Sequence, residues 1–248
     1  AIGPRTRVVA VSFVQFSSGY RVDLAVLGKA CRDRGILLVV DAIQGLGVFP
    51  VDVVEAGIGA LAVDGRKWLL GPQGAGFLYV SPEWVPRIKP RIAGAVSVPD
   101  FGDHLRYLRR LDPDGQIRLE EMLRPGAGRY EAGFYNITGL AGLGQALVLG
   151  ESIGHDRVER HVTKLVERLV DGVGERGWEV YGPRTRPERS GIVAFAVPGD
   201  AERTVARLID EGIFIAARDS RLRVSPHLYN TPDEIDTLLD RLDILMEG

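Results

Sequence analysis

The chain has 248 residues, 45% of them hydrophobic, enough to bury one substantial core with a smaller appendage. Its 31 basic and 33 acidic residues leave a formal net charge of -2, which removes the electrostatic case for nucleic acid or an anionic membrane as partner. Cys31 is the only cysteine, so no disulfide can form within the chain and a reducing, cytoplasmic setting is expected. The longest uninterrupted aliphatic run, 36–40, falls far short of the ~20 residues of a membrane span.

Residues 8–14 (VVAVSFV) are nearly all apolar, the composition of a buried strand in a parallel sheet covered on both faces. A run this apolar so close to Ala1 needs neighbouring strands, so the sequence reads as lacking an N-terminal part. Asp23 is suited to cap a helix with Leu24, Leu27 and Cys31 on its inner side, and Gly35 to end it in the left-handed conformation. Strands follow at 36–40, 60–63 and 76–80, and strand, helix, strand linked by crossovers gives an α/β sheet. The proline-rich stretch 82–128 supports only short helices and loops.

Residues 137–150 are small and apolar, with Gly139, Gly142 and Gly144 allowing close helix packing. Val158, Val162, Leu165, Val166, Leu169 and Val173 recur at helical spacing and predict one long amphipathic helix. It bridges a large domain over 1–150 to a small α+β domain over 151–248. The small domain is expected to hold strands near 178–181, 192–197, 213–216 and 221–225, and a helix over 201–211. Thr231, Pro232 and Glu234 fit the N-cap, first and third positions of a last helix that turns Ile235, Leu238, Leu239, Leu242 and Leu245 inward.

Four lysines are present, and Lys29, Lys89 and Lys164 sit on helix faces or among prolines. Only Lys67 falls in a glycine-bordered turn between two buried strands, where desolvation would free an amine's lone pair for nucleophilic attack. Asp41 and Gln44 follow the preceding strand, at the carboxyl end where α/β sheets place ligands. An imine-forming amine, a carboxylate for a pyridinium nitrogen and a donor for a phenolic oxygen together suit pyridoxal phosphate. Taken singly, each has a plainer alternative, a solvated loop lysine or a turn-capping aspartate. GPQGAG over 71–76 precedes a strand rather than a helix, so it is no phosphate loop. His104, His155, His161 and His227 lack metal-ligand spacing, no metal is expected, and structural roles are assigned to all four.

The segments VVDAIQG, DGRKWLLGPQGAGFLYV, RYEAGFYN and RVSPHLYNTPDEID, in that order, resemble the markers of class V aminotransferases among the fold type I pyridoxal-phosphate enzymes. The likeness is greatest to relatives of isopenicillin-N-epimerase and cysteine desulfurase. It implies the C-terminal portion of the large domain, a mainly parallel sheet with flanking helices, followed by the small domain. It further implies that Lys67 forms the imine and shuttles a proton, Asp41 pairs with the pyridinium, and Gln44 bonds the phenolic oxygen. Asp64 and Arg66 would lie beside the phosphate, Arg66 standing where the family usually has histidine. Arg223 would grip the carboxylate of an amino-acid substrate, with Arg218 nearby, in a homodimer.

Three departures are visible. Phe134 occupies the place of a threonine that reaches the partner subunit's phosphate, and it has no hydroxyl. No cysteine lies between Ala217 and Arg223, which argues against desulfuration by a persulfide route. A counterpart of the family's N-terminal phosphate loop and ring-stacking aromatic is missing. The expected function is an aminotransferase, lyase or epimerase type of reaction; the alternative is a non-catalytic truncated module that dimerises or binds.

Overall fold

A computed structural model describes residues 2–99, 123–183 and 185–247. Four strands form the first sheet in the order β1 (Val8–Ser12), β2 (Leu37–Asp41), β3 (Ala60–Asp64) and β4 (Gly76–Val80). β1, β2 and β3 run parallel, and β4 returns antiparallel to β3. Helix α1 (Leu24–Arg32) joins β1 to β2. The Asp23 carboxylate accepts from Val26 N–H at its start, and Gly35, at φ 61°, follows its end. There Gly35 N–H reaches Arg32 O and Ile36 N–H reaches Cys31 O, the paired bonds of a Schellman ending. Cys31 is fully buried, as the helix pattern requires.

Two expectations about this sheet need correction. β1 is an edge strand ending at Ser12, with Val8 51% exposed, so it is not covered on both faces. Apolar composition reports what a strand could bury, but position in the sheet decides what it does bury. The link from β2 to β3 is a series of turns rather than a helix, and β3 to β4 needs no crossover because the strands are antiparallel.

In the stretch 82–128 short 3-10 turns occupy Ala95–Ser97 and Ala127–Tyr130, while 100–122 lie outside the described residues. Helix α2 (Ile137–Ile153) starts at Asn136, whose side chain accepts from Gly139 N–H. Of its three singled-out glycines, Gly142 packs against Pro72 and Gly139 against the Asn136 cap; Gly144 faces open space. Ile137, Leu140, Leu147, Val148 and Leu149 of α2 are exposed.

Helix α3 (His155–Glu175) buries all six of its predicted apolar positions. It packs on the second sheet, ordered β5 (Val180–Tyr181), β6 (Val193–Phe195), β8 (Arg221–Val224) and β7 (Ala216–Arg218) and antiparallel throughout. β7 begins where the expected strand at 213–216 ends. Asp219 and Ser220 both adopt positive φ, so the tight turn ahead of β8 sets the hairpin register and shifts the pairing residues forward.

Helix α4 (Ala201–Asp210) is capped by Asp200. Helix α5 (Pro232–Glu247) has the anticipated reciprocal cap: Thr231 N–H donates to Glu234 Oε2 at 2.7 Å, and Glu234 N–H donates to Thr231 Oγ1 at 3.3 Å. All five inward residues of α5 are buried. Arg176 Nε donates to Asp243 Oδ1 at 2.7 Å and so pins α5 to the end of α3. One apolar cluster runs from Phe13 and Val14 through Trp68 to Leu169 and Leu242, so the two sheets share a core.

Candidate active site

The carboxyl ends of β1 and β2, the turn after β3 and the far end of β8 open onto one cleft of about 670 Å³. Asp41, Gln44, Arg66, Lys67, Arg218 and Arg223 all line it. Asp64 does not, but it holds Arg66. Its Oδ1 accepts Arg66 N–H at 3.0 Å and its Oδ2 accepts Arg66 Nε at 2.7 Å. These bonds, the backbone one foremost, hold the Asp64 carboxyl below its usual range.

Asp41 ends β2 in register with Ser12 and Ala62. Its Oδ1 accepts Ile43 N–H at 3.0 Å, a local turn that fixes the carboxylate at the strand end. The same turn carries Gln44 into the cleft wall.

Lys67 sits in the excursion between β3 and β4. Gly65 N–H to Ala75 O and Gly71 N–H to Gly65 O, both 2.8 Å, close its base, and Leu70 N–H to Lys67 O at 3.0 Å closes its tip. Leu70 takes φ 57°, a conformation that costs a non-glycine residue on the order of 1 to 3 kcal/mol and persists only under surrounding constraint. Trp68, 6% exposed, supplies that constraint by anchoring in the core. Burial pushes the Lys67 ammonium below its ordinary pKa, and the charges of Arg66 and Arg223 act in the same direction; Asp64 and Asp41 oppose them. No carboxylate lies within 4 Å of this ammonium among the described residues.

Arg223 is in β8, between Ala194 of β6 and Ala216 of β7. Its Nη1 donates to Phe16 O at 3.1 Å, and its Nε is buried without a partner. Burial and the neighbouring Arg218 charge push its pKa down. Among the described residues it has no acid to pair with, so an anion entering the cleft would meet an unneutralised guanidinium. A buried orphan donor, a depressed amine and a fixed carboxylate on three different elements fit a planar heterocycle and an amino-acid carboxylate.

Reading the residues in isolation overlooked Ser12, Phe16, Trp68, Ser225, His227 and Tyr229, which also line the cleft. His161 does have a structural contact, Nε2 to Asn230 O at 2.9 Å, and His104 lies outside the described residues. His227 instead forms part of the cleft wall, a place signalled only by its position four residues after Arg223. Phe134 is 87% exposed and is not among the cleft residues.

A family model described as aminotransferase class-V matches residues 1–238. The chain belongs to this family. It is 30% identical to a probable cysteine desulfurase of Pyrococcus abyssi over 98% of this chain and 60% of that protein. Isopenicillin N epimerase of Amycolatopsis lactamdurans is 31% identical, over 98% of this chain and 61% of the epimerase. Among solved structures, the apo cysteine desulfurase from Thermococcus onnurineus NA1 superposes with a TM-score of 0.86 at 31% identity, covering 98% of this chain and 60% of that one. The fold is therefore that of the fold type I enzymes, and the chain spans about three fifths of the length of these relatives.

Proposed function

We propose that this chain carries the lysine-bearing part of a pyridoxal-phosphate enzyme acting on an amino acid, by a reaction of the aminotransferase, lyase or epimerase type. The observation that carries this reading is the convergence of Lys67, Asp41, Gln44 and Arg223 on one cleft. Pyridoxal phosphate supplies a carbonyl that condenses with amines and a ring that accepts an electron pair.

In this reading Lys67 is the amine that would hold the cofactor and the base that would take up the proton of the substrate's α-carbon. Its lowered pKa raises the fraction of amine able to act as nucleophile and base. Asp41 would hold the ring nitrogen in its protonated form, and the Gln44 amide would hold the phenolic oxygen. Arg66, steadied by Asp64, pairs with the phosphate. Arg223 receives the α-carboxylate, with Arg218 adding positive charge behind it. The absence of a cysteine between Ala217 and Arg223 favours chemistry other than persulfide formation.

The proposed division is 1–150 for the cofactor part and 151–248 for the small domain. The exposed apolar residues of α2 support a homodimer, and light scattering on the purified chain tests it. The single cysteine, Cys31, free and buried, supports a reducing, cytoplasmic setting. Among the described residues no helix is long and apolar enough to cross a membrane.

The deciding experiment adds pyridoxal phosphate, follows the visible absorption band and traps it with borohydride. The mass increment should fall on Lys67 and vanish in Lys67→Ala. A protein that gives no band and no trapped mass is the non-catalytic module instead.

A further inference from the structure

His227 follows β8 and makes more contacts with the lysine turn than its place in the sequence suggests. Its ring, 9% exposed, stacks on Trp68 with centroids 4.9 Å apart and planes 17° apart. It also stacks on Tyr229 at 4.6 Å and 8°. Its backbone N–H donates to Asn230 Oδ1 at 2.8 Å, and its Nδ1 accepts Leu228 N–H at 2.8 Å. With Nδ1 occupied as an acceptor, the neutral ring carries its proton on Nε2.

That Nε2 is buried, and no partner in the described residues meets full hydrogen-bond geometry. The polar group acting on it is the backbone of Lys67, which favours the protonated ring against the larger opposing effect of burial. Trp68 is enclosed from the other side as well: a Cβ on Gly191 would lie 2.5 Å from its ring. The indole is thus held by β6's approach and by His227 together.

We infer that His227 is a positioning residue: its stack on Trp68, the neighbour of Lys67, ties the lysine turn to the segment that follows Arg223. The lysine amine and the carboxylate-binding guanidinium then keep one separation, although they belong to different sheets. The charged and titratable groups that line the same cleft are Lys67 and Arg66 after β3, Asp41 at the end of β2, Arg218 and Arg223 on the second sheet, and Tyr229, which stacks on the ring. Its role in catalysis rests on the function proposed above, but its clamp on the turn does not.

The test compares His227→Ala, which removes the ring, with His227→Phe, which keeps a flat ring able to stack on Trp68. Hydrogen exchange by mass spectrometry on the cofactor-free chain is the first readout. His227→Ala should speed exchange over 67–71 about two- to tenfold, the value of a stacked ring pair, with 155–175 unchanged; His227→Phe should restore protection. On the cofactor-loaded protein, His227→Ala should lower kcat about tenfold with little change in KM. Wild-type exchange in both variants, or equal loss in both, overturns the clamp. If wild type itself shows no absorption band while the exchange result holds, the enzymatic reading fails and the clamp stands.

Discussion

Asp64 accepts two hydrogen bonds from Arg66, one from its backbone N–H and one from its Nε, and thereby fixes an arginine that lines the cleft. An arginine held this way is already oriented before any anion arrives. Arg66→Ala should weaken pyridoxal-phosphate affinity about tenfold, the loss of one charge-assisted contact, while Asp64→Asn should cost less. Spectroscopic titration with cofactor checks both. Because the Asp64 pKa is depressed, its ion pair is intact above the ordinary carboxylate range and is lost only as pH falls through the lower folded value. The Asp64–Arg66 ion pair should therefore be equally intact at pH 5 and pH 8.

Lys67 behaves in the opposite sense. Its folded pKa is lowered, so burying the charged form costs stability at every pH below that value, and the cost fades as pH rises from it toward about 10.5, the ordinary lysine value. Lys67→Met should raise the melting temperature at neutral pH, and the gain should shrink near pH 10. Melts in a pH series decide the point; a gain that is constant with pH contradicts it. Reductive methylation should likewise begin at lower pH on Lys67 than on the exposed Lys29 and Lys164.

Arg223→Ala should leave cofactor binding intact and weaken amino-acid affinity roughly 10- to 100-fold, the cost of a charge-assisted carboxylate contact. Arg218→Ala should have a smaller effect, since its guanidinium is exposed and donates to its own neighbour's carbonyl, Ala217 O. Spectral titration with a series of amino acids provides the comparison. Equal affinities for wild type and Arg223→Ala would remove Arg223 from the site.

Leu242→Ala tests the joint between α3 and α5. Leu242 is fully buried in the shared core, so its truncation should cost about 2 to 5 kcal/mol. Denaturant unfolding measures it, and a change under about 1 kcal/mol would mean the joint is looser than its packing implies.

Helix α5 was legible in the sequence because its cap, its proline and its apolar stripe are all local and agree with one another. The lysine turn was legible for a similar reason, with glycines bracketing one amine between two apolar strands. The edge position of β1 was not, because no residue within a strand records which neighbours it has. His227 could be given only a general structural role, because the stack that defines it involves Trp68, brought near only by tertiary packing. Arg223 would read as a solvated strand residue on its own; its orphaned Nε becomes visible once β6 and β7 flank it.

Since β4 runs back alongside β3, the loop bearing Lys67 leaves and rejoins the sheet on adjacent ladders, like a handle bolted at both ends. Such a mount gives the backbone little travel. Any excursion the amine makes between one bonding partner and the next must come from rotations within its own four-carbon stem, and the geometry of the surrounding groups has to lie inside that short radius.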